Sequence, residues 1–414
     1  MSPISHLRAA ELRPPPALLA RAPVPGAPKI LFYSHDTFGL GNIRRTLLLA
    51  ETLSAAHANG SMLIVTGSPV IHEFRIPDRT DYVKLPCLDR PDFDRYQPAY
   101  LKMQTSEVAE IRRGMLHQIV LGFAPDLMIV DKRAGGIDGE LLEPLDALRR
   151  RYPFTKVVLG LRDILDEPQK TQRSLKRTGD MATVARHYDE VWIYGDRAIF
   201  DAVAEYAFPP EVAAMTHFCG YLKRPTRPSQ RHAGPPNVLV TTGGGGDGTE
   251  LIETYLEGLI ALPRSIALRT TVVFGPQMPV EDRARLHHRF GDLADVEFLD
   301  FEPDLASRYA TADVVVSMAG YNTVCELLSW SLRGILVPRC KPVGEQLIRA
   351  RLLAARGMFD IVEPADLRPD RLLGAVLASL DRTPNPPSID LDALPHICSR
   401  VRALLGGRDT QVEP

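Results

Sequence analysis

Residues Ala312 to Arg339, Ala-Asp-Val-Val-Val-Ser-Met-Ala-Gly-Tyr-Asn-Thr-Val-Cys-Glu-Leu-Leu-Ser-Trp-Ser-Leu-Arg-Gly-Ile-Leu-Val-Pro-Arg, admit few folds. The β-branched run Val314 to Val316 stops at Ser317 and Gly320, after which Val324, Leu327, Leu328 and Ser331 recur at helical spacing. Gly334 to Pro338 is a second apolar run, so the segment reads as strand, tight turn, helix, strand. Such a βαβ unit belongs to a parallel sheet. Its turn lies at the carboxyl edge, where open α/β sheets bind ligands. The small residues Ser317, Ala319 and Gly320 lead into the first helical turn at Asn322 and Thr323, where free backbone N–H groups can hold an anion such as a diphosphate. Glu326, six residues past Gly320, is placed to accept hydrogen bonds from two vicinal sugar hydroxyls, each worth about 1.5–3 kcal/mol when charge-assisted. Read alone, it suits a helix-capping or solvating role equally well.

Two other places open in the same way. Lys29 to Ser34 is a buried strand, and His35-Asp-Thr-Phe-Gly-Leu-Gly-Asn-Ile-Arg-Arg45 a glycine-containing turn into a helix through Leu53. Gly39 and Gly41 are followed by Arg44 where a dinucleotide fingerprint needs its third glycine, which excludes that motif. His35 and Asp36, at the carboxyl end of the strand, are candidate general bases, His35 with an ordinary pKa of about 6.5. A hydrogen-bonded strand-end role suits His35 as well. Asn237 to Thr242 is the third such strand, followed by Gly243, Gly244, Gly245, Gly246, Asp247 and Gly248 and a helix from Thr249. Four successive glycines let backbone N–H groups approach a ligand closely. No Lys-Ser/Thr follows, so this is not a Walker A loop.

The remaining pattern predicts strands at 62–66, 126–131, 155–161, 189–194, 216–221, 266–274 and 296–301. Helices are expected over 106–122, 347–356 and 394–405, and a proline-rich loop around 86–98. Arg162 and Asp163 end one of the strands at the ligand edge and suit a hydroxylated or phosphorylated acceptor, or a structural ion pair. Tyr82, Asp92 and Tyr96 are candidates to line an acceptor cleft, and Asp92-Phe-Asp94 is too short a pattern to argue a metal. Residues 1–28 read as a tail, 29–222 as a first domain, 223–236 as a proline-rich linker, 237–380 as a second domain, and 381–414 as a segment whose helix crosses back. With 414 residues, 45% hydrophobic and 24% charged, the chain has enough apolar content for two cores. A net charge of −2 argues against nucleic acid as the partner, and no apolar run reaches membrane-spanning length. Five cysteines without metal spacing fit reduced thiols in a cytoplasm.

Asp313 to Glu326, with Pro338 and the pair Glu345-Gln346, resembles the donor-site segment of family 28 glycosyltransferases, the group of the lipid II-forming N-acetylglucosaminyltransferases. The resemblance covers roughly 29–375 and is strongest over 237–356. It implies an α/β fold of GT-B architecture, two doubly wound Rossmann-like domains facing a cleft. It also implies a donor diphosphate on Ser317, Ala319, Gly320, Asn322, Thr323 and the Gly243–Gly246 loop, ribose on Glu326, sugar hydroxyls on Glu345 and Gln346, and the base beside Phe301 in Phe301-Glu302-Pro303-Asp304. Gly39, Gly41, Asn42, Arg45, Arg162 and Asp163 would then face the acceptor. Members of the family usually carry Gly-His where this chain has Gly41-Asn42, and an amide cannot take a proton, which leaves His35 or Asp36. The implied activity is inverting, metal-independent transfer of a hexose-type sugar from a nucleotide-diphosphate sugar, UDP first among them, to an acceptor hydroxyl. No cofactor beyond that donor is implied, and peripheral membrane contact only for a lipid acceptor. Two alternatives stay open: sugar-nucleotide 2-epimerisation, and a catalytically weakened homologue that binds nucleotide or a partner protein.

Overall fold

The computed structural model describes residues 27–35, 41–92, 95–226, 228, 234–302, 305–382 and 389–406. The expectations for Asp36, Gly39, Asp94, Pro303 and Asp304, for the side chain of Asp92 and for the tail through residue 26 lie outside the described residues.

Apolar runs buried on both faces build two parallel sheets. The first contains β1 (Lys29–Ser34), β2 (Ser61–Thr66), β3 (Thr80–Lys84), β6 (Leu127–Asp131), β7 (Lys156–Arg162), β8 (Glu190–Tyr194) and β9 (Thr216–Phe218), while β4 (Leu88–Asp92) and β5 (Arg95–Pro98) form a separate antiparallel hairpin. The order is β3-β2-β1-β6-β7-β8-β9. The second sheet contains β10 (Asn237–Thr241), β11 (Arg269–Val273), β12 (Val296–Leu299), β13 (Val314–Ser317), β14 (Arg333–Leu336) and β15 (Asp360–Ile361), in the order β12-β11-β10-β13-β14-β15. Strand order reverses beside β1 in one sheet and beside β10 in the other. Those switch points are where doubly wound sheets hold ligands. Strands β1, β10 and β13 therefore all end at the favoured edge.

Alternation along β1 explains its unbroken apolar run. Ile30 and Phe32 enter one core with Ile43 and Leu47 of the helix Gly41–Ala56, and Leu31 and Tyr33 enter the other with Met128, Val130 and Leu159. In β13, Val314 and Val316 face a core within the second domain, while Val315 joins the cluster that also holds Ile30, Phe32, Tyr321 and Val324. One apolar cluster thus runs from the first domain into the second. The helix Ala393–Leu404 adds Ile397 and Val401 to it. That last helix is tied to the first domain by Arg400 on Glu190 and by His396 Nδ1, 2.9 Å from the Cys219 carbonyl. Beside it, Tyr221 N–H donates to the Asp390 carbonyl at 2.7 Å, and Leu222 bridges Asp392 antiparallel.

Some elements depart from the sequence pattern. The proline-rich stretch 86–98 contains the β4–β5 hairpin, irregular in register between Asp89 and Asp92. Two edge strands, β3 and β15, carry no continuous apolar run because an edge is only half-covered. The expected strand at 266–274 begins at Arg269, and the helix expected from 347 begins at Glu345. Among the described residues no helix is long and apolar enough to cross a membrane.

Candidate active site

The helix Tyr321–Trp330 starts after Gly320, whose extended backbone (φ −63°, ψ 144°) turns the chain out of β13. Its first turn carries N–H groups without intrahelical acceptors. Opposite it lies the glycine loop, with Gly243 at φ +68° and Gly245 at φ +92° in the left-handed region that favours glycine. A Cβ on Gly245 would lie 2.4 Å from the Phe274 carbonyl oxygen, so the loop rests directly on the end of β11, and Gln277 N–H pins the Gly244 carbonyl at 2.8 Å. Cβ atoms on Gly243 and Gly320 would each sit 3.9 Å from Thr323 Oγ, and one on Gly41 would sit 3.9 Å from Asn322 Nδ2. Gly41, at the start of the helix after β1, and Gly243, in the loop after β10, therefore approach Asn322 and Thr323 in the first turn of the helix after β13. Backbone N–H groups of a helix start and of a glycine loop suit a diphosphate. Ser317, fully buried at the end of β13, has a hydroxyl with no protein partner.

Glu326 is buried one turn deeper. The Arg44 guanidinium, reaching across from the first domain, donates to one carboxylate oxygen, and Tyr309 OH donates to the other at 2.9 Å. The Glu326 charge holds the Arg44 pKa above its ordinary value, and burial, reinforced by the same carboxylate, raises that of Tyr309. Each carboxylate oxygen has two acceptor sites, so Glu326 keeps capacity for hydroxyl donors. It lines a cavity of about 660 Å³ with Arg44, Arg75, Arg224, Tyr309 and Trp330. Arg224, from the linker, donates through its backbone to Ser329 at 2.8 Å and through its side chain to Asn322 Oδ1 at 2.9 Å. Burial, then the neighbouring Arg44, lowers its pKa. Asn322 Nδ2 donates to the Gly41 carbonyl at 3.0 Å. The Asn322 side chain thus bridges the domains, and the part of this residue left for a donor is its backbone.

Glu345 and Gln346 open the helix Glu345–Ala354. Glu345 is 1% exposed, 3.6 Å from Arg162 and 3.5 Å from Arg339, and its Oε2 has no hydrogen-bond partner. Gln346 Oε1 accepts the Arg339 N–H at 3.4 Å, and the Arg339 side chain reaches Asp247 of the glycine loop at 2.9 Å. Arg339 thereby connects the glycine loop to the Glu345-Gln346 pair.

Two of the residues expected on the acceptor side are committed inside the protein, Asp163 in the ion pair that the sequence left open as its alternative. Asp163 is 2% exposed and faces the second domain, where Arg349 grips it with Nε at 2.8 Å and Nη2 at 2.7 Å while Nη1 donates to the Ala319 carbonyl at 2.8 Å. Tyr221 OH adds a bond to Asp163 at 3.0 Å. Burial disfavours the Arg349 charge, but the Asp163 carboxylate overrides it and raises the pKa. Arg45 is likewise interior: it donates to Asp131 and, at 3.0 Å, to Asn42 Oδ1, between the Tyr194 and Tyr321 rings at 5.8 and 5.9 Å. A buried guanidinium satisfied by a carboxylate and two aromatic faces has no group left to present to the cleft. Asn42 Nδ2 donates to the His35 carbonyl, so this amide is tied to the end of β1. His35 itself is 2% exposed, its ring edge-on to Tyr96 at 6.5 Å. Phe301 follows β12 and is 40% exposed. Sequence reasoning passed over Arg224, Tyr309, Arg339 and Arg349, and saw Arg44 only as a missing glycine. Arg44, Arg224 and Arg349 meet partners far away in the chain, and Tyr309 and Arg339 meet theirs across turns and separate elements, so local spacing carried no trace of these contacts.

Residues 237–388 match the family described as the glycosyltransferase family 28 C-terminal domain. A UDP-N-acetylglucosamine–N-acetylmuramyl-(pentapeptide) pyrophosphoryl-undecaprenol N-acetylglucosamine transferase of Mannheimia succiniciproducens is 34% identical over 160 residues, 37% of this chain and 43% of that protein. The chain spans about half the length, or less, of the curated relatives it matches. The crystal structure of Acinetobacter baumannii MurG aligns over 91% of this chain and 99% of that one, with a TM-score of 0.56 and 15% identity. A putative UDP-N-acetylglucosamine 2-epimerase from Listeria monocytogenes aligns over 93% and 98%, with a TM-score of 0.59 and 11% identity. At these identities the structural likeness establishes the fold.

Proposed function

Residues 237–388 are a glycosyltransferase family 28 C-terminal domain on a GT-B fold, and from that premise we propose that the protein transfers a hexose-type sugar from a nucleoside diphosphate sugar to an acceptor hydroxyl. UDP is the first nucleotide to test, since the named activity of the Mannheimia relative uses UDP-N-acetylglucosamine. The observation that carries the reading is the convergence of the Gly243 loop and the Gly320 helix start on Thr323, beside a buried carboxylate that lines a cavity.

In this proposal the backbone N–H groups of the glycine loop and of the Gly320 helix start bind the diphosphate, and the helix dipoles stabilise the charge that grows on it as the glycosidic bond breaks. Glu326 accepts the ribose hydroxyls, and Glu345 and Gln346, fixed by Arg339, take the sugar. The acceptor approaches from the first domain in a single displacement, which inverts the anomeric centre. The leaving group is stabilised without a metal ion, so turnover is expected to persist in EDTA. His35 or Asp36 takes the acceptor proton.

The test is thermal stabilisation and product analysis over UDP-, dTDP- and GDP-sugars, with Glu326→Ala alongside. One nucleotide class is expected to stabilise the protein, and Glu326→Ala to weaken it about tenfold to a hundredfold through the loss of one charge-assisted bond or more. Failure of every nucleotide sugar to bind overturns the proposal. A C2-epimer formed from donor alone would reassign the chain to epimerisation, a chemistry named for the Listeria protein of the same fold. A large gain in turnover in Asn42→His would instead mark a weakened transferase.

A further inference from the structure

Two of the ion pairs that cross between the domains differ in what they leave unused. Arg349–Asp163 is closed: its side chains are 0% and 2% exposed, and Arg349 Nε, Nη1 and Nη2 all donate to protein acceptors. Arg44–Glu326 is open. The Arg44 side chain is 27% exposed, and among the described residues only its Nη2 meets an acceptor, the Glu326 carboxylate. A guanidinium carries five N–H donors in a planar fork, so Nε and Nη1 remain for a ligand. Both residues line the same cavity of about 660 Å³.

The main chain that carries Arg44 is held from the other side of the cleft. Asn322 Nδ2 donates to the Gly41 carbonyl at 3.0 Å, and Arg224 Nη1 donates to the Arg44 carbonyl at 3.3 Å. The guanidinium is therefore in place before a ligand arrives, which lowers the ordering cost of binding. On the second domain, Arg44 takes one oxygen of Glu326 and Tyr309 OH the other, at 2.9 Å, so one acceptor site stays on each oxygen. A ligand that answers both residues must donate and accept at neighbouring atoms. Two vicinal hydroxyls do this, since each has one O–H donor and two lone pairs. Deleting one hydroxyl leaves a carboxylate lone pair and a guanidinium N–H without partners.

We propose that Arg44 is a specificity-determining contact for the donor: with Glu326 it forms a pair, split between the domains, that grips both ribose hydroxyls. The hydroxyls donate to the carboxylate and accept from the guanidinium. The assignment rests on the nucleoside diphosphate reading of the site and deepens it in two ways. The donor is a ribonucleotide, so UDP- or GDP-sugars are accepted and dTDP-sugars refused. The first domain, which the sequence gives to the acceptor, also holds the donor, so the ribose is fully bound only while the domains stay together at Arg44.

Calorimetry on the full chain tests it, with UDP against 2′-deoxy-UDP and GDP against 2′-deoxy-GDP, in the wild type, Arg44→Met and Arg44→Lys. The wild type is expected to bind the ribo form of its preferred nucleotide at least about tenfold more tightly than the deoxy form. Arg44→Met is expected to lose about tenfold for the ribo form and less than about threefold for the deoxy form. Arg44→Lys keeps a charge opposite Glu326, and so the fold, but replaces the fork by a point donor; a selective loss of about threefold for the ribo form is expected. A role confined to holding the domains together would weaken both forms alike. Equal losses, a ribo-to-deoxy ratio unchanged in both variants, tighter ribo binding in Arg44→Met, or a wild type indifferent to the 2′-hydroxyl overturns the proposal while nucleotide binding stands. A wild type that binds no nucleoside diphosphate overturns the transfer reading as well.

Discussion

Asp163→Asn removes one charge from a pair that is almost wholly shielded from water, Arg349 at 0% exposure and Asp163 at 2%. The side chain keeps its shape, so packing is little altered. What changes is electrostatic: Arg349 stays ionised beneath the Tyr321 ring, 5.8 Å away, with its bidentate acceptor neutralised. Removing one partner of a buried pair costs about 3–5 kcal/mol, mostly the penalty on the charge left behind. At about 2–4 °C per kcal/mol for a domain of this size, the melting midpoint falls by roughly 6–20 °C. Calorimetric melting of the wild type, Asp163→Asn, Arg349→Met and the double variant Asp163→Asn/Arg349→Met completes the cycle. The double variant is expected to recover most of the loss, because no charge is then stranded. A midpoint within about 2 °C of wild type in Asp163→Asn would refute the reasoning, as would a double variant no better than the worse single one.

Two further outcomes follow from the geometry. Gly245→Ala, where a Cβ would meet the Phe274 carbonyl at 2.4 Å and φ is +92°, is expected to cost more than about 2 kcal/mol in chemical denaturation, while Gly246→Ala, with nothing nearer than 3.9 Å, is expected to cost less than about 1. Equal costs would mean that the loop does not rest on β11. Burial lowers the pKa of His187, against a partial offset from Asp146 at 3.6 Å. Below about pH 6.5 the unfolded chain therefore binds a proton that the fold refuses, and stability falls as pH drops. His187→Gln is expected to flatten that slope between the ordinary and the lowered pKa, and an unchanged slope in denaturation measured from about pH 7 to 5 would assign it elsewhere.

Periodicity alone made β1, β6, β10 and β13 legible, because each is buried on both faces and reads as an apolar run. The turn after β10 was legible through glycine, since backbone approach and positive φ at Gly243 and Gly245 leave few other residues possible. The hairpin from Leu88 to Pro98 was hidden by its prolines, and β3 by its edge position. At the site, Glu326 stood out as an acid at a fixed distance from a helix start. Its partners did not: the Arg44 guanidinium is 282 residues away, and Tyr309 sits on a separate short helix outside the Ala312–Arg339 pattern. For the same reason Arg45 and Asp163 looked ready for a ligand when each was already committed to a partner inside the protein.

The chain leaves the first domain at Gly220 to Leu222 and re-enters it at Asp390 to Asp392, where the two passages lie side by side. Gly220 (φ +87°) leaves no room there for a side chain, since a Cβ would lie 2.6 Å from the Asp390 carboxylate. The second domain is thus a loop of chain inserted into the first, and the first domain's last helix is also the last described segment made during synthesis. On a ribosome the seven-stranded sheet emerges early, yet the apolar face that receives Ile397 and Val401 stays uncovered until the whole second domain has been translated. The first half to begin folding is therefore the last to finish.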